Sequence, residues 1–262
     1  MLKSLSKISV LLFLSFGFLN ADSVVNDGYV ELKNGNIADA VTIFQNSCDN
    51  GATSGCYNLG LLYYKGDKIP KDYPKAANLF SKACEDGHLQ ACYNLAYMFQ
   101  KSQGVRFDSF KAIELYDKSC QGGMSAACYN LANMYDTQDG VTKDPFKAVE
   151  YLIKACDLNH PKACYNLAYK YKNEDGVEKN LSKAAQLYEK ACDLGHANAC
   201  FNLGIMYLDG EYFTKNKSMA STYFTKACDL NLQDACEANK NIDKMGYWFE
   251  TMFLNPFVDK IS

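Results

Sequence analysis

The chain has 262 residues, 48% hydrophobic and 13% aromatic, with only five prolines, enough apolar material for packed domains and unlike a disordered or collagen-like chain. Twenty-seven Lys and Arg against 30 Asp and Glu leave a formal charge of −3 without a basic cluster, which argues against nucleic acid as a partner. Twelve cysteines are too many for an ordinary reduced cytosolic domain.

At the N-terminus, Lys3 and Lys7 precede an uncharged run from Ile8 to Leu19, and Ala21 offers a small residue for cleavage. This pattern predicts a secretory signal peptide over residues 1–21. The run is shorter than the roughly 20 residues a membrane span needs, so no stable span is expected after cleavage. The mature chain is expected in the periplasm or secreted, where disulfides persist.

Beyond it the cysteines form two combs. One runs through Cys48, Cys84, Cys120, Cys156, Cys192 and Cys228, the other through Cys56, Cys92, Cys128, Cys164, Cys200 and Cys236. Each steps by 36 residues, and the offset between them is eight. Self-similarity at this period predicts an all-α fold, an α/α solenoid of antiparallel helix pairs. Segments such as Cys92-YNLAYMFQ and Cys164-YNLAYKYK have helical spacing and make helix A, and segments such as KAIELYDKSC and KAAQLYEKAC make helix B. Asp72, Asp108, Asp144, Asn180 and Asn216 stand where helix B needs an N-cap. Gly51, Gly87, Gly123, Asn159, Gly195 and Asn231 follow each first-comb cysteine by three residues, where a left-handed residue ends a helix. The expected organisation is a helix pair over 22–49, five repeats of 36 residues over 50–235, and a capping helix with an aromatic tail over 236–262. Trp248, Phe249, Phe253, Leu254 and Phe257 lie in that tail.

If the repeats are alike, each cysteine pairs either eight or 28 residues onward. The longer step leaves Cys48 and Cys236 alone, and the shorter uses all twelve. The expected bridges are therefore Cys48–Cys56, Cys84–Cys92, Cys120–Cys128, Cys156–Cys164, Cys192–Cys200 and Cys228–Cys236. Each staples a helix B to the next helix A, closing a loop that contributes on the order of 2.5 kcal/mol in the chain-entropy picture. Zinc is the rival reading, but each turn offers two thiols and at best one histidine where a closed site needs four ligands. No metal and no cofactor are expected.

The units C-Y-N-L-[GA]-x-x-Y followed by D/N-x-x-K-A-x-x-[LY]-[YF]-x-K-A-C closely resemble Sel1-like repeats, and the cysteine combs resemble the Helicobacter cysteine-rich protein family. The resemblance covers roughly residues 24–240. It implies a right-handed superhelix similar to tetratricopeptide repeats, usually serving protein interaction. Some relatives carry penicillin-binding or β-lactamase labels. The units at Cys56 and Cys200 depart from the others in lacking the Gly-Val loop seen as Gly104-Val105, Gly140-Val141 and Gly176-Val177.

On a helical wheel Cys164, Leu167, Ala168 and Tyr171 share one face, within about 120°, and Asn166 points nearly opposite. Asn58, Asn94, Asn130 and Asn202 occupy the same register. One amide per unit is thus expected along a concave groove, spaced by about 8–10 Å. Each offers a donor and an acceptor to a protein or an extended peptide backbone. Tyr97 and Tyr169 stand a turn later, ready to line apolar pockets. The competing reading has the same amides bridging neighbouring helices. Lys82, Lys118, Lys154, Lys190 and Lys226 suit the C-terminal dipole of their own helix B. His88, His160 and His196 share a turn register and are read as surface or capping residues.

A serine β-lactamase needs S-x-x-K, and the one such tetrad, Ser4 to Lys7, lies in the expected signal peptide. No catalytic residues are assigned, and β-lactam hydrolysis stays as an alternative that rests on the resemblance.

Overall fold

The computed structural model describes residues 24–242. The expected signal peptide and the aromatic tail lie outside the described residues. Thirteen helices and no strand occur among the described residues: α1 (24–34), α2 (Ile37–Asp49), α3 (Thr53–Lys65), α4 (Tyr73–Glu85), α5 (Leu89–Gln100), α6 (Ser109–Gln121), α7 (Ser125–Thr137), α8 (Pro145–Asp157), α9 (Pro161–Asn173), α10 (Leu181–Asp193), α11 (Ala197–Asp209), α12 (Lys217–Asp229) and α13 (Gln233–Lys240). The chain divides within α7 into two compact units. The first runs through Ala127 and takes in Asp139–Val141; the second comprises Cys128–Gln138 and the chain from Thr142 onward.

In the first unit α3 packs on α4 and α5 on α6, with α2 against α3 and α4 against α5. In the second, α9 packs on α10 and α11 on α12, and α13 closes against α12. The sequence explains why each pair closes so tightly. Helix B buries alanines, as at Ala76, Ala77 and Ala83 of α4, around one large side chain, Phe80. Helix A meets that side chain with a small residue. A Cβ added at Gly60 would lie 2.8 Å from the Phe80 ring, and one at Gly204 would lie 2.5 Å from the Phe224 ring. Where helix B carries Tyr116 or Tyr188 instead, helix A has Ala96 or Ala168 in the matching place. Real Cβ atoms do not approach so closely, so glycine at these two positions is fixed by packing.

The helix boundaries follow the expected local chemistry. Asp72, Asp108, Asp144, Asn180 and Asn216 are N-caps, each accepting the backbone N–H three residues on at 2.9–3.0 Å. At the other end all six expected residues have positive φ, including the non-glycines Asn159 (59°) and Asn231 (67°). A first-turn lysine of helix B also lies over an aromatic ring of the preceding helix A: Lys75 over Tyr63, Lys111 over Phe99, Lys147 over Tyr135 and Lys183 over Tyr171, at 5.0–5.2 Å.

Disulfides staple the turns. Cys48–Cys56, Cys84–Cys92, Cys156–Cys164, Cys192–Cys200 and Cys228–Cys236 are bridged with Cα atoms 4.4–4.8 Å apart. Cys120 and Cys128 are disulfide-bonded as well, so none of the twelve is a free thiol. Most bridges are buried; Cys228 and Cys236 are half-buried.

The repeated lysines do something the sequence did not reveal. Lys82, Lys118 and Lys190 reach back one repeat and donate to the carbonyl oxygens of Cys48, Cys84 and Cys156 at 2.6–2.9 Å. They satisfy the orphan end of the preceding helix B and so tie consecutive repeats together. Lys226 reaches back likewise, to Asp193, whereas Lys154 pairs with Glu150 on its own helix.

Candidate functional site

The exposed side of helix A was expected to carry the amides. In the first unit α3 and α5 contain no carboxylate at all, and α5 presents Asn94 and Tyr97, both half-buried. Gln90 Nε2 donates to Asn94 Oδ1 at 3.4 Å, and the Asn94 amide lies near the Tyr57 hydroxyl of the preceding helix A, where it partly offsets the rise that burial gives the Tyr57 pKa. Tyr97 stands among Tyr64, Tyr73 and Tyr93, where burial, followed by these neighbouring hydroxyls, raises the pKa of Tyr64 above its ordinary value. Tyr64 in turn donates to Gln103 Oε1 at 2.9 Å. Asn58 departs from the expected open row. It is 5% exposed and its Oδ1 accepts the Tyr29 hydroxyl at 2.5 Å, because α1 lies over it.

In the second unit Asn130, Asn166, Asn202 and Tyr169 are all half-buried on α7, α9 and α11. Asn202, Tyr165 and Tyr169 gather around Tyr188, whose pKa is driven up first by burial. The Tyr188 hydroxyl is fully buried and the Asn202 amide faces it, yet no hydrogen bond of proper geometry forms. Asn58 thus already links neighbouring helices, while geometry leaves part of each half-buried amide and tyrosine toward solvent.

The capping reading of the histidines holds for two of them, and two features beyond it were missed in the sequence, the first being the stacking of their rings. His88 and His160 are N-caps through Nδ1, accepting from the backbone N–H of Ala91 and Ala163 at 3.2 and 3.3 Å. His88, His160 and His196 each stack on a tyrosine of the preceding helix A: Tyr57, Tyr129 and Tyr165, with centroids 4.3–4.5 Å apart. An accepting Nδ1 requires a neutral ring with its proton on Nε2, and burial lowers the pKa of His88 and His160 below the usual value. The second feature is Lys170, 2% exposed, which bonds Asp136 at 2.8 Å and Asp175 at 2.7 Å. Its register is apolar elsewhere, as Leu62, Met98, Met134 and Met206, and that break was the available signal.

Among the described residues no group of three or more His, Cys, Asp or Glu could hold a metal ion, and no helix is long and apolar enough to cross a membrane. What α5 offers in the first unit is neutral, amides, phenol hydroxyls and aromatic faces, whereas α9 adds the exposed Lys162 one turn before Asn166.

Comparison with known proteins agrees with this architecture. A Helicobacter pylori protein, HcpC, which carries a provisional β-lactamase label, is 38% identical over 77 residues, spanning 28% of this chain and 27% of that protein. The structure of c5321, a protective antigen of uropathogenic Escherichia coli with an SLR fold, superposes with a TM-score of 0.79 at 27% identity. That alignment covers 85% of this chain but only 48% of the antigen. A Sel1 repeat protein from Oxalobacter formigenes shares the fold, with a TM-score of 0.65 at 24% identity over 79% of this chain and 85% of that one. The Sel1 repeat pattern itself matches residues 53–88, 89–124, 125–160, 161–196 and 197–232. With five consecutive copies occupying most of its length, the chain belongs to the Sel1 repeat family.

Proposed function

We propose that the protein is an exported, disulfide-stapled scaffold that holds an extended segment of a partner protein along the helix-A face of its units. The observation that carries this reading is the repeated, half-buried pairing of an amide with an aromatic residue, Asn94 with Tyr97 and Asn166 with Tyr169. Amides satisfy a peptide backbone without reading its side chains, and the tyrosines give apolar walls between them. Asn130 and Asn202 extend the set in the second unit, whereas Asn58 serves the fold. Export is supported by buried bridges, which persist in oxidising compartments, and by the charged, then apolar start of the chain.

The test is capture by crosslinking from the native envelope and culture fluid. Replacing Asn130→Ala together with Asn166→Ala should lower partner recovery at least tenfold with little change in melting temperature. Undiminished recovery would remove these residues from the site. The alternative, β-lactam hydrolysis, rests on the label of HcpC. Turnover of nitrocefin by pure protein, abolished by a helix-A face substitution, would favour it over the scaffold.

A further inference from the structure

The loops that join helix A to helix B differ in charge between the repeats. Residues 65–75 and 101–111 are equivalent segments of the first unit. Together they carry Lys65, Lys68, Lys71, Lys75, Lys101, Arg106 and Lys111 against Asp67, Asp72 and Asp108. The equivalent segment 137–147 has two cations and two carboxylates, 173–183 has two and three, and 209–219 has two and two. Two of the three acids in the first pair of loops are committed as N-caps, Asp72 and Asp108. Lys75 also pairs with Asp72 at 3.3 Å and Lys101 with Asp139 at 3.5 Å, which leaves five cations without a carboxylate partner among the described residues. All seven cations are exposed.

These loops lie side by side. Tyr64, at the end of α3, donates to Gln103 of the second loop, and a Cβ on Gly104 would collide with the backbone of Tyr73, at the end of the first. The cations are therefore one surface although the sequence holds them a full repeat apart, which is why no basic cluster is visible along the chain. Within that surface Phe107 is 51% exposed and Phe110 is 81% exposed. The Phe107 ring rests its tip on Gly140, whereas the Phe110 ring stands almost clear of the protein; both would be better off buried, and a partner surface can supply the missing walls.

A folded or extended polypeptide fits a concave site, whereas projecting rings among cations suit a soft apolar phase beneath a layer of negative charge. We propose that this loop edge of the first unit docks on an anionic phospholipid surface, with Phe107 and Phe110 entering the headgroup layer and the surrounding cations meeting lipid phosphates. This is surface attachment, separate from the helix-A face and independent of what that face holds.

The experiment is co-sedimentation of the oxidised full chain with vesicles of phosphatidylethanolamine and phosphatidylglycerol, against vesicles of phosphatidylcholine. Binding is expected to the anionic vesicles alone and to weaken with salt. Each of Lys65→Gln, Lys68→Gln and Arg106→Gln should cost about fivefold in partitioning. Phe110→Ser should cost about tenfold, and adding Phe107→Ser should lower it further, with thermal melts confirming folding. Phe146→Ser, at the matching place in the second unit where the loop is balanced, should leave binding unchanged. Equal binding to phosphatidylcholine, or variants that bind like the parent, overturns the proposal. So does retention on a polyglutamate matrix without vesicle binding, which would assign the edge to an acidic polypeptide.

Discussion

In the first unit the position six residues after the helix-A cysteine is Leu62 or Met98, packed among apolar neighbours. In the second unit the same position in α9 is Lys170, held between Asp136 and Asp175. In the second unit Lys172 also pairs with Glu211 at 2.6 Å; in the first, Lys75 and Lys101 pair with Asp72 and Asp139 and the other loop cations are left on the edge. The two units share caps, staples and small-to-large packing, and they differ in where charge is spent. The shared positions build the frame; the positions outside it give each unit its own surface and core.

The largest expected effect removes the frame from both units at once. Each bridge contributes on the order of 2.5 kcal/mol, so denaturation in the presence of reductant should shift to far lower denaturant than without it. Thiol tagging followed by mass mapping should find Cys228 and Cys236 reduced first, since they are more exposed than the other bridged cysteines. Coincident oxidised and reduced transitions would show that the bridges do not stabilise the stack.

The next effect is confined to the second unit. Asp136→Ala with Asp175→Ala strands a buried ammonium and should cost about 3–5 kcal/mol. Lys170→Met, which copies the other repeats, should be neutral or stabilising. A Lys170→Met protein that loses as much stability as the double aspartate variant would mean that the ion triad, and not merely its satisfaction, holds α9 in place.

Acidification should act on both units through the histidine caps. Burial lowers the folded pKa of His88 and His160, so the unfolded chain takes up the proton more readily. Their contribution is fully present above pH 6.5 and is lost as pH falls through the lowered folded value. His88→Asn keeps a cap acceptor without a titrating ring and should flatten part of the acid slope of the melting temperature. An unchanged slope would place the acid sensitivity elsewhere.

The smallest effect separates two equivalent tyrosines. The Tyr116 hydroxyl donates to Gln100 Oε1 at 2.9 Å, while that of Tyr188 is buried without a bond. Tyr188→Phe should therefore raise stability by up to about 1 kcal/mol and Tyr116→Phe should lower it by a similar amount. Equilibrium denaturation of the pair settles the sign.

The helix-A face was less legible than the frame. The wheel argument placed Asn58 with the other four amides, but a helix wheel describes one helix and cannot see α1 covering Asn58 through Tyr29. The three histidines were read by register as turn residues; that their rings stack on tyrosines of the preceding repeat depends on how the repeats lie together.

Alone, the sequence determined the helices, their ends and the eight-residue staples, because each depends on residues within about one or two helical turns of one another. Only the tertiary structure decided which carbonyl Lys82, Lys118 or Lys190 serves, what surrounds Lys170, and that the cations of two loops form one edge. Those relations span roughly one repeat of chain, where local periodicity says nothing about side-chain direction and the outcome rests on how one helix pair packs on the next.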